Sequence, residues 1–228
     1  MHEGHRDRVK KRFRQEGLDH FSDIQALELL LFYGIPRVDT NPIAHALLDR
    51  FGSLSQVLEA SPEELMKVPG VGENAALLLT LIPQMGRFYM VDRSSRVTIL
   101  QTLEQCANFL VPHFFGRKVE TVFILCLDAK CKLLCCKELG EGGPNSTGVS
   151  IRKIVETAIG VNAATVVLAH NHPSGLAVPS AEDIQTTRRI AHALQAVEIT
   201  LADHIIVADG DYVSIAMSDD RFRDCLLI

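Results

Sequence analysis

The chain changes its hydrophobic period near its middle. In the first part, apolar residues recur at helical steps. Ile24, Leu27, Leu30 and Leu31 follow Ser22 at three- and four-residue intervals, which predicts a helix broken by Gly34-Ile35-Pro36. Asn41-Pro42 reads as an N-cap with proline at the first helical position, opening a helix through Ile43, Ala44, Leu47 and Leu48. Gly52-Ser53 ends that helix and starts another carrying Val57 and Leu58. Ser61-Pro62-Glu63-Glu64 opens a shorter one, again cap then proline.

Further on, short apolar runs alternate with helical ones. Thr102-Leu103-Glu104 begins a helix that Pro112 stops. Val119 to Leu127 reads as a strand, Asp128-Ala129-Lys130 as a turn, and Lys132 to Glu138 as its hairpin partner. Gly140 to Asn145 is a loop, and Ser150 caps a helix with Ile151, Ile154, Val155, Ala158 and Ile159 on its apolar side. Thr165-Val166-Val167-Leu168-Ala169 reads as a buried strand, and the run after Ser180 as a helix with Ile184, Ile190, Leu194 and Val197 apolar. Ile199 to Val207 is a strand, Asp209-Gly210 a turn, and Tyr212 to Ile215 the returning strand. The expected organisation is an all-α domain over residues 1–92, a linker over 93–101 around the polar Asp92-Arg93-Ser94-Ser95-Arg96, and an α+β domain over 102–228.

Composition narrows the classes. A chain of 228 residues with 47% hydrophobic content can bury ordinary cores. A net charge of −5 does not point to a nucleic-acid protein. No apolar run approaches the ~18 residues that would suggest a membrane span, and the start MHEGHRDRVKKRFR is too polar for a secretory signal. A soluble cytoplasmic protein is expected. The six cysteines then read as thiols rather than a disulfide framework. Cys126, Cys131, Cys135 and Cys136 lack paired C-x-x-C spacing, so buried thiols fit better than a structural zinc site. The six Lys/Arg between Arg6 and Arg14 form either a phosphate-binding arm or a solvated helix face.

The densest chemistry lies in His170-Asn171-His172-Pro173, with Ser180 and Asp183 beyond it. Side chains alternate along a strand, so His170 and His172 point to one side and Asn171 to the other. Asp183, in the first turn of the next helix, can reach back over the strand end. Two imidazoles and a carboxylate form the open three-ligand arrangement of catalytic zinc, with one ion. Ser180-x-x-Asp183 is equally a helix-capping pair. Pro173 and Gly175 would shape the turn.

The H-x-H-x7-S-x-x-D spacing resembles that of the JAMM (MPN-plus) metalloproteases, and the wording HNHPSG…PSxxD resembles their RadC-like branch, over roughly Gly4 to Ile215. The resemblance implies a zinc-dependent hydrolase acting on a peptide or isopeptide bond of an unidentified substrate. It implies His170, His172 and Asp183 as metal ligands, Glu120 as general base then acid, and Ser180 as an oxyanion donor. Asn171 would support the ligands from behind or shape the turn, and Asp203 and His204 would support the ligands or form a buried structural pair. One departure stands out: where RadC-like chains carry a Pro-Arg-Glu-like stretch, this one has Ile151-Arg152-Lys153.

Leu65 to Ala76 resembles a helix-hairpin-helix motif, with Pro69-Gly70-Val71-Gly72 as the hairpin. Such amides can grip a phosphate, and the RadC resemblance carries an association with DNA repair. Yet Glu73 stands where DNA-binding versions place a basic residue. Residues 1–96 hold 12 Lys/Arg against 13 Asp/Glu. DNA binding through this hairpin, with a structural or nucleolytic metal site, is the alternative to a peptidase, and a non-catalytic scaffold is a third reading.

Overall fold

A computed structural model describes residues 4–94, 99–142 and 149–218. Part of the expected linker, 95–98, and Gly143 to Asn145 of the expected loop lie outside them. The chain divides into two compact units, Met1–Gly86 and Arg87–Ile228.

The first unit is helical. It holds α1 (His5–Glu16), α2 (Asp23–Gly34), α3 (Asn41–Phe51), α4 (Leu54–Glu59), α5 (Pro62–Leu65) and the first part of α6 (Glu73–Ser94). Ser22 begins α2 with a reciprocal capping box to Gln25, and Ser53 and Ser61 cap α4 and α5. Leu27, Leu31, Ile43, Leu47, Val57, Leu65, Val71 and Leu79 meet in one apolar cluster. Two expectations change. Thr40, not Asn41, is the N-cap of α3, and its side chain instead donates to the Glu28 carbonyl (3.4 Å). The expected boundary residues Asp92-Arg93-Ser94 continue α6, because nothing in their sequence breaks a helix. In α1, Arg6 donates to the carbonyls of Phe32, Ile35 and Val38, and Arg12 to His20 O and Glu16.

The second unit is α+β. α7 (Leu103–Leu110) and a 3-10 turn (Val111–Phe114) precede β1 (Thr121–Leu127) and β2 (Leu133–Glu141). Then come α8 (Ile151–Gly160), β3 (Thr165–Asn171), α9 (Ala181–Gln195), β4 (Thr200–Ala208), β5 (Asp211–Ser214) and the short α10 (Ile215–Ser218). The sheet order is β2-β1-β3-β4-β5. Among the described strands only β3 and β4 run parallel, joined by the crossover helix α9, while the other neighbours are antiparallel. One face packs Ile124, Leu168, Ile206 and residues of α8 and α9; the other packs Leu125, Val167, Ile205 and residues of α7. A central strand buried on both faces explains the unbroken apolar run of β1.

A bulge in β4 decides which face of the sheet His204 occupies. Val166 pairs with Leu201 but Val167 with Asp203, so Ala202 is the extra residue. Leu201 and Ile206, an odd number of residues apart, consequently share one face of the sheet. His204, one step of two from Ile206, lies on that same face, the one covered by α9.

Candidate metal centre

The end of β3 and the start of α9 bring the polar groups together. His170 is fully buried as the next-to-last residue of β3, and His172 follows the strand. Their Nε2 atoms are 2.9 Å apart. Gly175 N donates to His172 O (3.1 Å), closing the turn that Pro173 enters. Gly175 sits at φ +83°, where a Cβ would lie 2.9 Å from Asp209 Oδ2, so the turn needs glycine there on both counts. The turn carries the Leu176 carbonyl to 3.1 Å from His172 Nδ1. A carbonyl only accepts, so Nδ1 of His172 carries a proton, which in the neutral form of the ring leaves Nε2 with the lone pair.

Asp183 faces both rings. Its Oδ1 is 3.3 Å from His170 Nε2, and its Oδ2 is 3.5 Å from His172 Nε2. Ser180 makes the capping box: its hydroxyl accepts from Asp183 N (3.1 Å), while its own N–H and O–H donate to Asp183 Oδ2 (2.8 and 2.6 Å). Burial alone would raise the Asp183 carboxyl, but the contact with His170 and the hydrogen bonds donated by Ser180 outweigh it and hold the group well below the usual carboxylate range. The Ser180 proton is thus committed to Asp183. An oxyanion role for Ser180 would require that hydroxyl to turn away.

Glu120 lies just before β1 rather than at the start of a strand running from Val119, because β1 begins at Thr121. Its Oε1 is 3.6 Å from His170 Nε2, and its side chain keeps 34% exposure against 9% for Asp183. Glu120, His170 and His172 offer ligand atoms all within 4.8 Å of one another. Asn171 points away from the histidines and grips the backbone on either side of Glu120. Its Oδ1 accepts from Thr121 N (2.8 Å), and its Nδ2 donates to Val119 O (3.2 Å).

Behind His170 lies His204, fully buried, its Nε2 2.8 Å from His170 Nδ1. Burial holds the His204 ring neutral, far below the ordinary histidine value. Its Nδ1 meets Thr187 Oγ1 at 2.6 Å. Thr187 carries a contact the sequence pattern did not reveal; the one signal was its position four residues after Asp183, on the same side of one helix. Asp203 stands apart. It accepts from His204 N and Ala216 N (2.7 and 3.0 Å), tying β4 to α10, and burial raises its carboxyl.

This donor set fits a small cation. A tetrahedral ion at 2.0–2.1 Å separates its ligand atoms by about 3.3 Å, and the ring-to-carboxylate distances of 3.3 and 3.5 Å match that edge. The 2.9 Å between the rings needs only a few tenths of an ångström of adjustment.

The predicted hairpin has different surroundings. Val68 and Val71 are buried in the helical core, and α6 opens on the exposed Glu73. A Cβ on Gly70, at φ +90°, would come within 2.7 Å of Ile43 Cδ1, whereas one on Gly72 would meet nothing within 4 Å. Among the described residues, no helix is long and apolar enough to cross a membrane.

Comparison with known proteins agrees with the fold. The family model of the RadC-like JAB domain matches residues 100–220, and that of the UPF0758 N-terminal domain matches residues 3–77. A UPF0758 protein of Paraburkholderia xenovorans is 33% identical over 92% of this chain and 83% of its own length. A UPF0758 protein of Fusobacterium nucleatum is 32% identical over 93% of this chain and 94% of its own. With residues 100–220 matched by that family model and such relatives covered over most of their length, the chain belongs to the RadC-like JAB domain family.

Proposed function

We propose that the protein is a zinc-dependent hydrolase cleaving a peptide or isopeptide bond. The observation that carries this reading is the convergence of His170 Nε2, His172 Nε2 and the Asp183 carboxylate at the mouth of the β3–α9 turn, with Glu120 beside them. His170, His172 and Asp183 would hold the ion. Zinc, when bound, supplies a Lewis acid that makes water nucleophilic near neutral pH.

Exposure separates the two carboxylates. Asp183 is nearly buried and fixed by three contacts with Ser180, which suits a ligand. Glu120 is one-third exposed and, among the described residues, carries no such fastening on its carboxylate, which suits a group that takes a proton from water and returns it to a departing amine. Asn171 fixes where Glu120 leaves the backbone. Ser180 holds Asp183 in its ligating orientation.

Metal analysis of the purified protein tests the site. Wild type is expected to carry zinc and His172→Ala to lose it; equal zinc in both would sink the assignment. Glu120→Gln is expected to keep zinc and lose hydrolysis of peptide- and isopeptide-linked fluorogenic probes by about 100-fold or more, the usual contribution of a general base.

A further inference from the structure

The contacts behind His170 have a direction, which can be read from the last acceptor backwards. Thr187 Oγ1 is 2.6 Å from the Asp183 carbonyl, which has no proton to give. The Thr187 hydroxyl therefore donates to that carbonyl. Its single proton is spent, so towards His204 Nδ1, 2.6 Å away, Thr187 Oγ1 can only accept. His204 must then carry its proton on Nδ1. Above the ordinary histidine value of about 6.5 an imidazole carries one proton, so His204 Nε2 is an acceptor, and its neighbour at 2.8 Å, His170 Nδ1, is the donor. The proton of His170 is thereby on Nδ1, and its Nε2 turns a lone pair towards His172 and Asp183.

We infer that Thr187 and His204 are positioning residues that lock the buried His170 in its Nδ1–H form, so that Nε2 is permanently available to a divalent cation. This deepens the zinc reading above and rests on it for the identity of the cation. The Leu176 carbonyl does the same for His172 from outside the sheet. Both imidazoles spend their N–H groups outward, and their lone pairs face each other at 2.9 Å beside a carboxylate. Such a group of acceptors has no proton of its own to share, and a cation satisfies all of it at once. The relay has a return link: it ends on the backbone of Asp183, the third expected ligand, so one hydrogen-bond chain ties the strand ligand to the helix ligand. It closes only because the Ala202 bulge puts His204 on the α9 face. Thr187, His204 and His170 are all fully buried, so water does not compete for these contacts.

Two measurements test the relay. Nitrogen-15 NMR of the metal-free full chain, above the ordinary histidine titration range, reads each tautomer directly. His170 and His204 are both expected as Nδ1–H; an Nε2–H signal for His170 would overturn the inference without any variant having to fold. Zinc affinity by chelator competition is the second. Thr187→Val keeps the shape and removes the hydroxyl, and is expected to weaken zinc binding about 10- to 100-fold. Thr187→Ser, which restores the hydroxyl, is expected to bind within a few-fold of wild type. If Thr187→Val binds zinc as wild type does, the relay fails and the zinc site stands. If wild type takes up no zinc yet His170 is Nδ1–H, the zinc reading fails and the relay stands.

Discussion

Two short segments of this molecule, Val68–Gly72 and His172–Ser180, invite the same treatment from their letters. Each holds proline and glycine, each leads into a helix, and each resembles a functional motif. Their surroundings differ in kind. Around the first, the anchoring side chains are apolar: Val68 and Val71 enter the helical core, Gly70 lies against Ile43, and the helix opens on a carboxylate. Around the second, polar groups aim inward and each has a reason for its orientation, from the Leu176 carbonyl to the Ser180 cap. A ligand site is thus recognised by where its protons and lone pairs are sent. A turn motif alone does not supply that information.

The two segments should part most widely at the hairpin glycines. Gly70→Ala forces a side chain into left-handed backbone and onto Ile43, which is itself nearly buried. It is expected to destabilise the fold by about 2–3 kcal/mol, the sum of modest strain and overpacking. Gly72→Ala meets open space at an ordinary φ, and is expected to be neutral or stabilising by a few tenths of a kcal/mol. Chemical denaturation of both variants checks this, with zinc content expected to be unchanged in each. Equal losses at the two positions would mean that the hairpin is not held by packing at Gly70, and would reopen a role for its amides in binding.

Just before the other segment, at the end of β3, the corresponding cut is Asn171→Ala. It removes the acceptor of the buried Thr121 N–H and the donor to Val119 O. One buried donor left unpaired suggests a cost of about 1–2 kcal/mol. The more telling expectation is functional: hydrolysis falls with zinc content intact, because Glu120 is bracketed by the two freed backbone groups and touches the ring cluster only through its side chain. If zinc is lost instead, Asn171 serves the ligands and not the base.

Much of this contrast is legible in the chain itself. The period-two parity that puts His170 and His172 together and Asn171 opposite is a property of any strand, and it persists to the strand's last residue. The Ser180 cap is legible because capping uses residues three apart in sequence. What escapes is non-local or irregular. A bulge costs one unpaired residue and leaves no compositional mark, so Ala202 gives no hint that His204 faces His170. Thr187 looks like an ordinary helix residue until the parallel strand is placed opposite it. The strand boundary at Glu120 is hidden because Val119 and Val122 continue the apolar pattern, while pairing with β2 and β3 begins only at Thr121 and Val122. The α3 cap shifts by one residue because Thr40 is drawn to the buried Glu28 carbonyl.

A weaker effect extends the contrast to histidines themselves. His113, which has no evident partner in the sequence, lies between aromatic rings, 5.7 Å from Phe109 and 5.0 Å from Phe123. Its Nε2 is 3.9 Å from Cys136 Sγ, a thiol that burial pushes up to about 12 and therefore keeps neutral. Arg117 donates to its carbonyl and adds a positive charge nearby. Burial first, and the Arg117 charge second, lower the His113 value below that of a free histidine. A base lowered in the folded state takes its proton more readily when unfolded. Its contribution is therefore absent above the ordinary value of about 6.5, and acts against folding as pH drops below it. The penalty stops growing once the pH passes the folded value. Thermal midpoints measured from about pH 7 to pH 5 should accordingly fall less for His113→Gln than for wild type, whatever the two share at neutral pH. A parallel fall would show that His113 titrates alike in both states, and that apolar rings around an imidazole do not suffice to keep it uncharged.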